Sequence, residues 1–516
     1  MVFEKVVMNE DISRNFLDDF YTPDDIASSI ANWLIRDGGE TVLEPAAGGG
    51  ALISAAIKRG KELAPYKNLH FLGFDIDIES INKLKKFGSV CVEAYQKNFL
   101  DTADSDYFKV DAVLANPPFS RNQSIDKIYR EELRRRFGVK GAIGVWGFFL
   151  LHSLSYLKPG GRLACIVPKS ACFTSHGKQF LSGLANHFDS IGIYEFQAKP
   201  KWSKAALENG AVILADKYQI GKAKEVSAGV LKSNGKVLPK EELGNDFYKT
   251  MLENSVRLES FADVSIGLVT GRNKVFLLSK REALDNDISQ EDLLPTLSRR
   301  RHLSGIFFDE NDFLKLDGDN EKIWLLLPSK SDGNAKRYLE DNISHQERES
   351  TTWFRKRHPW WKVQVGKKCD AAFTYMNHEF PFIARMYGAA ACTNTLHQIF
   401  FKKEVTDKEI ASILLTPIST FGQISAEIIG RSYGGGVLKF ELSEVKLLPI
   451  IPAKAFKNFP LDSVDDLMKK GDLAQATMVV DEVVMSYFFG DKKRSALLSM
   501  KENLNILRER RRGGND

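Results

Sequence analysis

At 516 residues the chain is longer than one hydrophobic core serves, and two or three domains are expected. With 43% hydrophobic and 27% charged residues it reads as an ordinary soluble globular protein, and no apolar run approaches the roughly 18 residues of a membrane span. The net charge of +5 permits a nucleic-acid partner without requiring one, while five scattered cysteines with no CxxC pair exclude a disulfide framework or zinc knuckle and point to a reducing cytoplasm.

The N-terminal stretch MVFEKVVMNEDISRNF is polar and does not read as a signal peptide. Thr22 is then placed to cap a helix, with Pro23 at its first position and Asp24 and Asp25 in its first turn. Ile26, Ala27, Ile30, Ala31, Trp33 and Leu34 supply its apolar stripe. A short strand, Val42-Leu43, follows and runs into Glu44-Pro45-Ala46-Ala47-Gly48-Gly49-Gly50, with a helix predicted from Ala51 to Lys58. Strand, glycine loop and helix open a nucleotide-type βαβ unit, and glycines let the backbone approach a ligand closely. The loop matches neither GxGxxG nor a GK[ST] phosphate cradle. Glu44 at the strand end would repel a pyrophosphate and suits a ligand with a cationic amino group.

A second strand, His70 to Asp75, ends in the kind of acid that takes the ribose hydroxyls of an adenosine-containing cofactor. Ile76 would lie on the adenine face, and Asp77 is read as a helix N-cap. A third strand, Ser89 to Glu93, leads to Lys97-Asn98-Phe99-Leu100-Asp101, where Asn98 or Asp101 is placed to bond the adenine amino group with Phe99 alongside. The fourth strand, Val110 to Ala115, runs into Asn116-Pro117-Pro118-Phe119. Two prolines stop the strand and fix a stiff, non-helical turn. Open α/β sheets bind ligands outside the carboxyl ends of their strands, so this turn should sit at a ligand crevice. The Asn116 side-chain oxygen and the Pro117 carbonyl can each accept one N–H of an exocyclic amino group, and Phe119 can stack on the ring that carries it. The bland alternative is a proline-rich turn with a core phenylalanine.

Residues 121–145 are basic, with Arg130, Arg134, Arg135 and Arg136 among them, and form either an insertion that orders on DNA or a solvated amphipathic helix. A helix ending at Leu157, a Lys158-Pro159-Gly160-Gly161 turn and a strand from Arg162 to Val167 follow. Strands are predicted at Ile191 to Phe196 and Ala211 to Ala215, with Lys199-Pro200-Lys201-Trp202-Ser203 between them. The composition shifts between Asp216 and Arg257, which reads as a linker or small β segment and places a domain boundary near residue 250.

Taken in order, the Thr-Pro helix, EPAAGGG, GFDID, KNFLD and NPPF resemble the S-adenosylmethionine-dependent DNA N6-adenine methyltransferases of the gamma arrangement, the TaqI-like and Eco57I-like modification methylases. The likeness covers residues 1–215 well and the remainder more loosely. It implies an α/β catalytic domain over residues 1–250 with the class I, Rossmann-like fold and a mixed, mostly parallel seven-stranded sheet. It also implies an α+β target-recognition domain with a helical tail over residues 251–516. S-adenosylmethionine is the implied cofactor. Thr22 and Glu44 would handle its amino acid end, Pro45, Ala46, Ala47 and Gly48 would line its close approach, and Asp75 and Ile76 would take the ribose and adenine. Asn98, with Phe99, stands where the family usually shows an aspartate. Asn116, Pro117, Pro118 and Phe119 would hold the target base, and Trp202, with Phe196 as second choice, would stack on its other face.

In the second half, Val264 to Phe276 reads as strand, Thr-Gly turn, strand; Ser298 to His302 and Thr352 to Lys362 gather cations, the latter among aromatics; and Arg431-Ser432-Tyr433-Gly434-Gly435-Gly436 is a glycine turn. Cations neutralise phosphates and side chains in the groove read base edges. Arg272, Asn273, Arg300, Arg301, Arg357, Arg431 and Tyr433 are therefore the expected DNA contacts, and TGxNxVF and GRxYGGG look like family target-recognition motifs. The tail, with Arg508, Arg510, Arg511 and Arg512, either touches the DNA backbone or is solvated.

The expected function is site-specific methylation of the N6 amino group of a flipped adenine in duplex DNA, as the modification part of a restriction-modification system. Double-stranded DNA is the expected partner, with room for a separate cognate restriction endonuclease; no metal site and no membrane is expected. N4-cytosine DNA methyltransferases and RNA or protein-glutamine methyltransferases share the Asn-Pro-Pro-aromatic turn; Asn rather than Ser at position 116 leans toward adenine. A DNA-binding specificity protein with an inert methyltransferase half is the reading from a different class.

Overall fold

The computed structural model describes residues 22–88, 91–103, 108–119, 127–139, 143–168, 171, 175–196, 210–388, 390–433 and 436–512. The chain divides into two compact units at Leu243/Gly244.

The first unit is built on a nine-stranded sheet: β1 (Thr41–Glu44), β2 (His70–Asp75), β3 (Val92–Gln96), β4 (Val110–Ala115), β5 (Leu157–Pro168), β6 (Phe188–Phe196), β7 (Gly210–Tyr218), β8 (Ser227–Leu231) and β9 (Val237–Pro239). Their spatial order is β3-β2-β1-β4-β5-β7-β6-β8-β9. Strands β1 to β5 are mutually parallel, and β7 runs antiparallel between β5 and β6. The seven expected strands are thus extended by two. β8 pairs parallel with β6 and buries Val230 and Leu231, and β9 closes on β8 as a hairpin, so part of the supposed linker belongs to the sheet.

The central strands are buried on both faces, which is why they read as continuous apolar runs. Successive side chains alternate between faces. Val42, Phe71, Ala112, Leu114 and Ile166 point to one side, where they meet Ile26, Ile30 and Leu34 of α1 (Asp24–Leu34), Leu52 and Ile53 of α2 (Ala51–Leu63), and Ile81 and Leu84 of α3 (Ile78–Lys85). Leu43, Leu72, Val113, Leu163 and Cys165 point to the other, against Phe148, Phe149 and Leu150 of α5 (Val145–Leu154) and Leu181 and Leu184 of α6 (Ser175–Leu184). The basic insertion contributes α4 (Lys127–Phe137). Its Arg136 donates to the carbonyls of Leu100 and Thr102 at 2.6 and 3.1 Å, so that cation holds α4 to the loop after β3.

One helix start differs from expectation. Pro23, not Thr22, is the N-cap of α1, and no side chain caps it. The Thr22 hydroxyl is engaged elsewhere. Asp77, by contrast, caps α3 through the Ser80 N–H at 2.8 Å, as expected.

The second unit is α+β. Its five-stranded sheet runs Ala262–Ile266, Leu396–Phe401, Ala371–Thr374, Ile383–Met386, Phe307–Phe308. Four- and three-stranded sheets accompany it, with helices at Thr420–Ile429, Leu473–Phe489 and Lys493–Arg512 near its end. The expected second strand at Asn273–Phe276 is instead a single helical turn. Thr270 starts it: its hydroxyl accepts the Arg272 N–H at 3.0 Å and donates to Asn273 Oδ1 at 2.6 Å, a local bond that competes with strand pairing. The arginines at the end of the tail are paired within the second unit, while Lys492 and Arg494 earlier in it are exposed. Arg511 and Glu427, each 3% exposed, form a bidentate pair at 2.8 and 2.9 Å, Arg508 donates to Gln423 at 2.7 Å, and Arg512 reaches Glu379 at 3.1 Å. No single described helix is long and apolar enough to cross a membrane.

Candidate cofactor and nucleobase site

Strand register brings three sequence-distant residues to one edge of the sheet. Glu44 pairs with Gly73, two positions before Asp75, and Leu43 pairs with Val113, three before Asn116. Because all three strands run parallel, Glu44, Asp75 and Asn116 all emerge at their carboxyl ends, where α/β sheets take ligands. The loop after β1 is folded back onto β2: Ala47 N–H donates to the Phe74 carbonyl at 2.9 Å and Gly48 N–H to Asp75 Oδ2 at 2.8 Å. Gly50, at φ 80°, permits the sharp entry into α2; a Cβ there would meet Phe87 at 2.8 Å.

Glu44 is 1% exposed, and its Oε2 finds no hydrogen-bond partner among the described residues. Burial pushes its carboxyl well above the usual carboxylate range, and the neighbouring charge of Asp75 adds to the shift. Burial also raises Asp75, against the pull of the Asp77 and Gly48 N–H groups. A buried carboxylate with an unsatisfied oxygen is costly unless a donor arrives, and a ligand ammonium is the donor that relieves it best. Beside Asp75, Ile76 is 45% exposed and offers an apolar surface to a planar ring.

Asp75 pairs with Gln96, so the segment after β3 reaches the same edge. There Asn98 is committed locally. Its Oδ1 accepts from Leu100 N–H at 3.2 Å, and its Nδ2 donates to Asp101 at 2.9 Å and to the Tyr129 hydroxyl at 3.2 Å. Tyr129, on α4, donates to the other Asp101 oxygen at 2.6 Å. Sequence patterning had no signal for this contact from the insertion. Phe99 is turned into the core. It is 1% exposed, packed among Phe74, Phe149, His152 and Tyr156, and is a core ring.

Asn116 leaves β4 half-buried and donates from Nδ2 to the Thr22 hydroxyl at 2.9 Å. Pro117 is buried, Pro118 half-buried, and half-buried Phe119 leans on the α1 side of the sheet. Pro45 and Ala47 are buried beneath the loop, with Ala46 and Gly48 half-exposed. Phe196 is a buried core residue of the cluster that carries Phe119, which leaves it no face for stacking on a base, and Trp202 lies outside the described residues. A groove of about 400 Å³ at the opposite end of the strands carries Arg36, Glu40, Asp111, Lys158 and Arg162. Its charges are closed on one another or on Asp216, at 2.7 to 3.1 Å.

In the second unit most of the expected DNA contacts are structural. Arg272 pairs with Glu347 at 2.5 Å, Arg301 chelates Glu321 through bonds of 2.7 to 3.1 Å, and Arg431 pairs with Glu444 at 2.9 Å. Arg357 donates to the Thr270 and Val269 carbonyls. Asn273 bonds Asn394 at 3.2 Å, and Arg300 bonds Asn377 at 3.2 Å while lying over the Phe382 ring. Tyr433 ends a short strand, and its side chain lies outside the described residues. Exposed instead are Arg355, Lys356, Lys362, Lys367 and Lys368, in a stretch, 352–368, without an acid.

Residues 13–181 match the family model for N-6 DNA Methylase, and residues 237–485 match that for the C-terminal domain of Type II methyltransferase M.Eco57I. Residues 13–181 therefore belong to the N-6 DNA methylase family. The methylase is similar to Type II methyltransferase M.AccI of Acinetobacter calcoaceticus, 23% identical over 465 residues that cover 83% of this chain and 84% of that one. It is also similar to M.BanIII of Aneurinibacillus aneurinilyticus, 27% identical over 213 residues that cover 36% and 37%. Among solved structures it resembles the type IIG restriction endonuclease BpuSI at 15% identity and a TM-score of 0.42, over 98% of this chain and 68% of that one, a likeness too loose to add to the strand order. The methylase acts on DNA, and its cofactor is S-adenosylmethionine. The orphaned Glu44 oxygen fits the ammonium of that cofactor.

Proposed function

We propose that the methylase transfers a methyl group to the N6 amino group of an adenine extruded from duplex DNA, as the modification half of a restriction-modification system. The carrying observation is the convergence of Asn116, its amide bonded to Thr22, with Glu44 and Asp75 at one sheet edge. S-adenosylmethionine supplies an electrophilic methyl on a sulfonium sulfur. Glu44 holds the cofactor's ammonium, Asp75 its ribose hydroxyls and Ile76 its adenine face. Extrusion of the base costs a few kcal/mol, least where pairing is weak. Asn116 Oδ1 and the Pro117 carbonyl then accept the two amino protons, and Phe119 stacks on the ring. Accepting both protons draws the nitrogen toward tetrahedral geometry and frees its lone pair. The cofactor, when bound, would supply the methyl group that this lone pair takes, and the surplus amine proton would depart to solvent afterwards. Positioning rather than a strong base supplies the rate. Asn rather than Ser at position 116 favours adenine over cytosine.

The second unit supplies the DNA-reading surface in this proposal, with the basic stretch 352–368 on phosphates and Trp353, exposed beside it, as an aromatic contact. A cognate endonuclease acting on the same sequence is the proposed partner, in line with the Type II naming of the relatives. The test is transfer of a tritiated methyl group to unmethylated genomic duplex DNA, followed by nucleoside analysis. N6-methyladenine is expected; N4-methylcytosine, or transfer to RNA alone, would overturn the adenine-DNA assignment.

A further inference from the structure

Thr22 lies 94 residues before Asn116, is 4% exposed, and does not cap the helix that follows it. Its hydroxyl receives the Asn116 Nδ2 at 2.9 Å. A carboxamide has one donating and one accepting end, fixed opposite each other. Holding Nδ2 inward aims Oδ1 the other way. Rotated by half a turn, the amide would present N–H to an incoming amino group, and two donors would face each other.

We infer that Thr22 is a positioning residue for methyl transfer: it fixes the rotation of the Asn116 amide so that its oxygen meets the substrate amine. This differs from the cofactor contact that the Thr-Pro motif suggested. The inference rests on the proposed function, since it gives the amide oxygen an amine to accept from. The buried hydroxyl and the diproline corner make the device stiff. Pro117 and Pro118 restrict the backbone on one side of Asn116, and Thr22 restricts the side chain on the other.

The test uses the full-length chain in wild-type form and as Thr22→Val and Thr22→Ser. Each is assayed for single-turnover methyl transfer to unmethylated genomic DNA, for S-adenosylmethionine affinity by calorimetry, and for thermal unfolding. Thr22→Val keeps the shape and removes the acceptor. It should slow transfer by about a hundredfold, the scale of a misplaced reacting group, while cofactor affinity stays within about threefold of wild type. Thr22→Ser restores the hydroxyl and should recover most of the rate. Equal losses of rate and cofactor affinity in Thr22→Val would make Thr22 a cofactor contact and overturn the inference. An unchanged rate in Thr22→Val, or no recovery in a folded Thr22→Ser, would overturn it as well. Absence of transfer by the wild type would instead refute the functional proposal beneath it.

Discussion

A single carboxyl shows how residue chemistry sets the behaviour of the site. Glu44 is buried beside Asp75 with one oxygen unsatisfied, and its carboxyl is held well above the ordinary range. Because its folded-state pKa is raised, its contribution to stability is present at low pH and is lost as pH rises through the raised value. Glu44→Gln should therefore melt higher than wild type at alkaline pH without cofactor, and the difference should shrink as the pH is lowered. Cofactor binding favours the carboxylate, so affinity should strengthen as pH rises through the raised Glu44 value, read by calorimetry across a pH series. In Glu44→Gln that dependence should vanish and affinity should fall by about tenfold or more, the scale of a lost charged hydrogen bond. Glu44, Asp75 and Asn116 were legible because each ends an apolar run, and strand ends carry ligand chemistry in this fold. The Asn116–Thr22 bond was not legible, because nothing local to either residue encodes a contact across 94 positions. Phe99 shows the opposite limit: a core ring next to a polar turn looks the same in sequence as a stacking ring.

Elements were easier to place than their ends or their partners. The strands of the first unit show in sequence as apolar runs buried on both faces, and the five motif-bearing segments all fall at element boundaries. What composition concealed was pairing at a distance. The segment after Asp216, rich in lysine and glycine, reads as a linker or a small β segment, and it is the second: Val230 and Leu231 are buried at the sheet margin. The arginine-rich tail reads as either a DNA contact or a solvated end, and neither reading shows that Arg511 is sealed against Glu427 on the helix Thr420–Ile429. Arg511→Ala would leave that carboxylate buried with Arg508 at 3.9 Å in place of its bidentate partner, and should destabilise the second unit by about 3 kcal/mol, measured by denaturant unfolding of the whole chain. A change below about 0.5 kcal/mol would mean that water replaces the guanidinium at no cost.

At the scale of the molecule, charge runs do not by themselves mark a DNA surface. Arg272, Arg301 and Arg431 were chosen for their neighbours in sequence, and each is neutralised by a glutamate remote in sequence from it. The stretch 352–368 has no internal acid, and its exposed lysines remain the better candidates for phosphate contact. Lys367→Gln with Lys368→Gln should weaken DNA binding across sequences and lower the slope of log affinity against log salt by about 2, with cofactor affinity unchanged. An unaltered slope would move the DNA surface elsewhere. The proposed methyl transfer turns on Asn116 acting on the substrate amine and not on the cofactor. Asn116→Ala, assayed for methyl transfer to duplex DNA and for S-adenosylmethionine affinity in the same preparation, tests this most directly. Transfer should be abolished while cofactor affinity stays within about threefold of wild type, since that change removes only an interaction made at the reacting group. Surviving transfer, or a loss of cofactor binding as severe as the loss of rate, would contradict it.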